Sequence, residues 1–240
     1  MNGTTLQNIS LPLKALFTGY LSAIGLGLLM AGAQIMLTHG MADGKFGLSV
    51  DDIVYSYYGD REGSKIEAKL HGSMKEMGTP EVRLDIIKWV RKGAPEKEWE
   101  THFKDVFAQN CVMCHSMMPG IPDFRKYDEV KKVAGVNMGA SVSTLTRVSH
   151  IHLFGIAFIF FFVGWIFTYA TGYSNWLKSL LIFTPFAFLI LDVASWWLTK
   201  MNPNFAWLVI IGGFGYSLAS TVMIFTSLYQ MWLSKPSASA

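Results

Sequence analysis

Four apolar stretches, each long enough to cross a bilayer as a helix, constrain this 240-residue chain more than any other feature. A helix needs about 20 apolar residues to span the hydrocarbon core. Segments 15–38, 151–171, 176–198 and 205–232 qualify, and the last is long enough to span with tilt. Links 172–175 and 199–204 are short, so spans two to four read as an antiparallel hairpin stack. Block 39–149 separates span one from that stack. The expected class is all-α: four transmembrane helices with a mostly helical domain inserted between helices 1 and 2. Glycines 19, 25, 27 and 32 in span one, and 212, 213 and 215 in span four, predict close helix approach.

Charge divides the chain the same way. Charged residues make up 15%, below the roughly 25% of a soluble domain. Block 39–149 carries 16 acids and 16 bases. Elsewhere stand only Asp192, Lys14, Lys178, Lys200 and Lys235. No basic cluster is interleaved with aromatics, so no nucleic-acid partner is expected. Lys14, Lys178 and Lys235 fall on one side of a four-span topology and Lys200 on the other, a positive-inside bias. The expected organisation is a cytoplasmic N-terminus (1–14), helix 1 (15–38), a polar domain (39–149), a three-helix stack (150–233) and a cytoplasmic tail (234–240). Ala31-Gly32-Ala33 looks like a signal cleavage site. Apolar character runs on to Leu37, however, so an uncleaved anchor is expected.

Both cysteines lie in Cys111-Val112-Met113-Cys114-His115, the C-x-x-C-H pattern of c-type haem attachment. Two thiols at this spacing add across the two porphyrin vinyl groups, and the next residue is carried under the iron as proximal ligand. A thioredoxin-like dithiol would want a βαβ context, whereas a helical segment precedes this motif. A zinc site needs four ligands, and only His71 and His102 remain in the block to join the motif.

On these residues the block resembles c-type cytochromes. The resemblance implies haem c held by Cys111 and Cys114 with His115 on the iron. It also implies an outward, periplasmic face for block 39–149 in a bacterial inner membrane, in agreement with the lysines. The order of elements reads as permuted. Small c-type cytochromes place the attachment helix first, then a methionine loop, then a closing helix. Here Met74-Lys-Glu-Met77-Gly-Thr79-Pro80-Glu81 and the helix pattern through Gly93 resemble the latter two, yet precede the motif. Thr79 reads as N-cap with Pro80 at N1, and Ser49 as another cap. Trp99, Phe103, Val106 and Phe107 share one face of a helix leading into Cys111. A third helix is expected from near Asp123. Met74 is the expected distal ligand. His71 and Met77 are rivals, Met117, Met118 and Met138 are further options, and an iron without a distal protein ligand is the last.

Three more histidines are placed at the outer membrane level: His39 ending span one, and His150 and His152 opening span two. Asp192 is the lone acid within a span. Three readings stand side by side. The histidines are interfacial and Asp192 caps a helix near Pro185; or a histidine and Asp192 take protons from a quinol; or His39 with His150 or His152 holds haem b or copper. Residues i and i+2 point about 200° apart on a helix, so one site takes at most one of His150 and His152.

The resulting expectation is a membrane-bound mono-haem electron carrier, more a subunit than a stand-alone enzyme. Its partners would be other redox subunits of a membrane complex, a soluble periplasmic carrier and membrane lipid. A quinol-oxidising subunit and a haem-based sensor or assembly factor are the competing classes.

Overall fold

The computed structural model describes residues 4–38, 40, 47–116, 118 and 120–234. In chain order the elements are α1 (Leu11–Thr38), α2 (Val50–Tyr57), α3 (Lys65–His71), α4 (Pro80–Arg91), α5 (Glu96–Glu98), a π-helical turn (Trp99–Phe103), α6 (Lys104–Asn110), α7 (Val112–His115), α8 (Tyr127–Ala134), α9 (Val142–Thr168), α10 (Asn175–Met201), a 3-10 turn (Pro203–Phe205) and α11 (Ala206–Trp232). Among the described residues there is no strand, only an isolated bridge between Ser64 and Val136. The all-helical class is therefore as expected. Four helices, α1, α9, α10 and α11, are long and apolar enough to cross a membrane. The chain divides into two units: one from 4–34, 142–198 and 204–234, the other from 35–141 and 199–203.

Two boundaries differ from expectation. Helix α9 starts at Val142, well before residue 151. Ser143, Thr144, Thr146 and Arg147 lower the local hydropathy, but Leu145 and Ser149 are buried and mark a continuous inward face. The inserted unit accordingly ends at 141, not 149. The helix expected near Asp123 starts at Tyr127 instead. The Asp123 carboxylate accepts from the Arg125 backbone N–H at 3.1 Å, a local turn that competes with helix.

The apolar spans pack through polar ties and small residues, because lipid supplies no hydrophobic drive between helices. Thr171 N–H donates to Gln230 Oε1 at 2.8 Å, and Gln230 Nε2 returns a bond to Thr171 O. Lys178 Nζ donates to the carbonyls of Thr168 and Ala170 at the end of α9. Lys14 Nζ does the same for Met231 at the end of α11. A cation suits a helix C-terminus, where carbonyls lack partners. The expected glycine contacts are met in α11 and not in α1. A Cβ on Gly212 would lie 2.6 Å from Asp192 Cβ, and one on Gly215 would strike the Phe188 ring. In α1 only Gly25 has a neighbour, Ile224 Cγ2 at 3.9 Å, while Gly19, Gly27 and Gly32 face open space.

The inserted unit has a conventional apolar core of Ile86, Trp89, Val90, Trp99, Phe103, Phe107, Phe124 and Val130. Two of its helices start at the caps the sequence predicts. Ser49 and Asp52 form a capping box, and Thr79 caps α4 with Pro80 inside the first turn. Segment 136–140 is pinned to segment 56–64. Asn137 N–H donates to Gly63 O, Asn137 O accepts from Arg61 N–H, and Ala140 N–H donates to Ser56 O. Gly59 and Gly139 both hold positive φ there, and a Cβ on either would overlap the opposite backbone.

Candidate functional site

The Cys111–His115 stretch folds as a single helical turn. His115 N–H donates to Cys111 O at 3.0 Å and Ser116 N–H to Val112 O at 3.0 Å. Positions i, i+3 and i+4 share one face of such a turn, so Cys111, Cys114 and His115 emerge together. Both cysteines are free thiols. Their surroundings differ. Cys111 is half-buried against the aromatic core, and burial pushes its thiol up to about 11. Cys114 is exposed.

His115 is held on two sides. Its Nδ1 lies 3.1 Å from Pro122 O. A carbonyl only accepts, so Nδ1 carries a proton, and in the neutral ring the lone pair is then on Nε2. The Phe124 ring stacks face to face on the imidazole, with centroids 4.0 Å and planes 3° apart. Phe124 in turn meets Phe107 edge-on at 5.3 Å.

The core beneath this turn joins α4 to the helix that leads into Cys111. Trp89 of α4 stacks on Phe103 at 4.5 Å and lies 6.0 Å from both Trp99 and Phe107. The link between them is short and fully bonded. Tyr127 Oη donates to Ala94 O, Lys131 Nζ to Gly93 O and Trp89 Nε1 to Pro95 O. The π-helical turn, with Lys104 N–H bonded to Trp99 O five residues back, sits at the start of this helix. Such turns concentrate at functional sites, and nothing in the apolar periodicity announces it.

The expected distal ligands lie in and after α3. Met74 is half-buried in the turn following the helix, with its N–H bonded to Lys69 O. His71 is exposed, its Nε2 3.9 Å from the Glu67 carboxylate that also binds Arg91. A cavity of about 230 Å³ lies here, lined by Leu70, His71, Lys75, Pro80, Arg83, Leu84 and Ile87. Met77, Met118 and Met138 are exposed. Met117 falls outside the described residues. No hydrogen bond, ion pair or ring contact joins Met74 or His71 to His115 among the described residues.

In the membrane unit the second expected cluster is only partly assembled. His39 falls outside the described residues. His150 and His152 lie about two turns inside α9, not at its start. They face different ways. His150 is exposed and meets Phe154. His152 is half-buried, with Nδ1 2.9 Å from Val148 O and its ring edge-on to Trp196 at 5.0 Å. Asp192 is 4% exposed and accepts from Trp196 Nε1 at 3.0 Å. It therefore binds within α10 one turn on, and does not cap a helix at Pro185. Trp197 Nε1 donates across to Ser149 Oγ.

Residues 134–238 match a family model described as a transmembrane helical domain. The match covers α9, α10 and α11. With the four apolar helices it makes the chain a multi-pass membrane protein. No curated protein and no solved structure matches the chain.

The donor set can be tested for the group the motif implies. Among the described residues no three His, Cys, Asp or Glu side chains converge as a metal cage would require. A haem iron asks for no such cage, since the porphyrin supplies four nitrogens and the protein one or two ligands. Two free thiols and an imidazole with an open Nε2, on one face of one turn, fit haem c.

Proposed function

We propose that this chain is a membrane-anchored mono-haem c-type cytochrome that passes electrons as a subunit of a redox complex. Cys111 and Cys114 would hold the porphyrin by thioethers, and His115 would ligate the iron on the proximal side. The observation that carries the reading is the state of His115. Its Nδ1–H is committed to Pro122 O, the outer-shell bond that fixes a metal-binding imidazole's tautomer and raises its basicity. When bound, haem supplies one-electron exchange between ferric and ferrous iron.

The chain's own residues do the rest. The aromatic core under Cys111 excludes water from one side of the turn. A low dielectric there disfavours the ferric charge and is one lever on the potential. Packing of α4 on the helix entering Cys111 supports the permuted reading, since a closing helix would make this contact. Met74 remains the proposed distal ligand and His71 its rival. The proposed location is the bacterial inner membrane with block 39–149 facing the periplasm, where redox subunits or a soluble carrier would be met.

The test is a pyridine haemochrome assay on the detergent-purified chain. One c-type haem per chain is expected. Cys111→Ala with Cys114→Ala should abolish covalent haem, and covalent haem surviving in that double variant would overturn the assignment. Met74→Ala should alter the reduced spectrum and the potential. An unchanged spectrum and potential would remove Met74 from the distal role.

A second reading is favoured by Asp192. A carboxyl buried within a span is costly and defaults to function. A quinol-oxidising site near His152 and Asp192 would feed electrons toward the haem. Asp192→Asn with His152→Ala should then abolish quinol-driven haem reduction, and an unchanged rate would eliminate that reading.

A further inference from the structure

The loop Pro122–Arg125 touches His115 twice, and the second contact has no counterpart in the motif. The hydrogen bond to Pro122 O sets which nitrogen carries the proton. It leaves the imidazole only the residual swing about its Cβ–Cγ bond that keeps Nδ1 within reach of the carbonyl. Phe124 removes that freedom: its ring lies on the imidazole at 4.0 Å and within 3° of parallel. The ring cannot itself turn readily. Phe124 is 9% exposed, and Phe107, which is 1% exposed, packs against it at 5.3 Å and 88°. The loop backbone is fixed as well. Asp123 accepts from Arg125 N–H at 3.1 Å, from Nε at 2.9 Å and from Nη2 at 2.9 Å, and Lys126 N–H donates to Asp123 O. Four successive residues are thus built into one clamp around one imidazole.

We infer that Phe124 is a positioning residue that fixes the plane of the His115 imidazole for an axial metal bond, an inference that rests on the proposed haem ligation. The plane of an axial imidazole selects which iron d orbital its π system meets, so a locked ring gives one electronic environment and a loose ring a spread of them. A ring face carries negative quadrupole charge. Stacked on an imidazole that donates to iron, it favours the more positive, ferric state. Loss of the ring should therefore raise the midpoint potential.

The experiment compares the full chain with Phe124→Leu and Phe124→Tyr. In Phe124→Leu, haem content and helix content stay at the starting level. The low-temperature electron paramagnetic resonance lines of the ferric haem at least double in width, and the potential rises. Phe124→Tyr, which keeps the ring face, restores the original width. Wild-type linewidth and potential in Phe124→Leu, at full haem content, would overturn the inference and leave the haem reading intact. A wild-type chain without covalent haem would overturn the haem reading itself. In that case the His115 Cε1–H proton resonance still decides the stack: loss of its ring-current shift in Phe124→Leu supports it, and an unchanged shift refutes it. Loss of folding in Phe124→Leu with intact folding and narrow lines in Phe124→Tyr also supports a role for the ring face.

Discussion

The two units of this protein solve the same problem with different mixtures of materials. The inserted unit is held by apolar contact: Trp89, Trp99 and Phe107 are each 1% exposed, Trp89 stacks on Trp99, and Phe107 meets both rings at an angle. The membrane unit keeps much of its apolar surface outside, with Phe154, Phe158, Phe183 and Phe214 each more than half exposed. Its interior buries an apolar cluster around Val163, Phe167 and Met223 and adds polar and small ties: Gln230 on Thr171, Trp197 on Ser149, Trp196 on Asp192, and Gly212 against α10. Water drives the first arrangement, because burying a large ring removes apolar area from solvent. Lipid tails are as apolar as the side chains, so the second depends on close approach and hydrogen bonds. The chemistry follows the same division. The thiols and imidazole of the Cys111–His115 turn sit on the water-built unit, and the buried carboxyl sits on the lipid-built one.

This comparison predicts the largest effect for Trp89→Ala. It removes the ring that meets Trp99, Phe103 and Phe107 together. The inserted unit should lose about 3–5 kcal/mol. Near-ultraviolet circular dichroism of the full chain in detergent would follow this loss. A cost under about 1 kcal/mol would mean that the aromatic stack is not what holds the unit.

Gly212→Val is the matching change in the membrane unit. A Cβ added at Gly212 runs into α10, with Asp192 Cβ 2.6 Å, Cα 2.8 Å and N 2.9 Å away. Overpacking of this kind costs about 1–3 kcal/mol. The α10–α11 pair would separate while helix content stays constant, read as faster exchange of the Asp192 neighbourhood. The control is Gly27→Val in α1, where nothing lies within 4 Å and no loss is expected. Equal losses at both positions would dissolve the distinction between a packed and an open glycine.

Those two glycines also show what the sequence can and cannot say. Both sit in apolar helices and look alike in one dimension. Only the partner helix distinguishes them, and partner choice is a tertiary property. The spans themselves were legible, because hydropathy sums over about 20 residues. The start of α9 was not, since Thr144, Thr146 and Arg147 are polar on the outward face while Leu145 points in. The Cys111–His115 turn was legible as a motif because its cysteines and histidine stand at fixed spacing in the chain. Its clamp was not: Pro122 and Phe124 act through a loop geometry that no spacing rule encodes. Likewise one of the three sequence readings of Asp192 made it a cap near Pro185, whereas the helix runs through Pro185 and the carboxylate finds Trp196 one turn on.

Trp196→Phe probes that last pair at smaller scale. It keeps the ring beside His152 and removes the N–H that Asp192 accepts. Interhelical and intramembrane hydrogen bonds of this kind average about 0.6 kcal/mol, with a maximum near 1.7. Thermal unfolding in detergent should therefore shift only slightly. A loss comparable to Trp89→Ala would show that the membrane unit depends on this polar pair as heavily as the inserted unit depends on its rings.

The smallest effect belongs to Asp123, whose bond to Arg125 closes the loop around His115. Arg125 hydrogen-bonded to the carboxyl holds it well below its usual range, to about 2. The sign follows from linkage. A carboxyl depressed on folding contributes stability that is present above its ordinary value near 4 and disappears as pH falls through the folded value. Arg125 is 59% exposed, so solvent screens the pair and the contribution is small. Asp123→Asn removes this contribution at every pH. The stability difference between the parent chain and Asp123→Asn should thus be positive at pH 5 and shrink toward zero at pH 2, and 1 M salt should reduce it at pH 5. Carboxylates common to both proteins, Glu81 among them, cancel in that difference. A gap equally large at pH 2 and pH 5 would mean that the loop is held by the geometry of the side chain and not by its charge, and the water-built unit would then owe its clamp to packing alone.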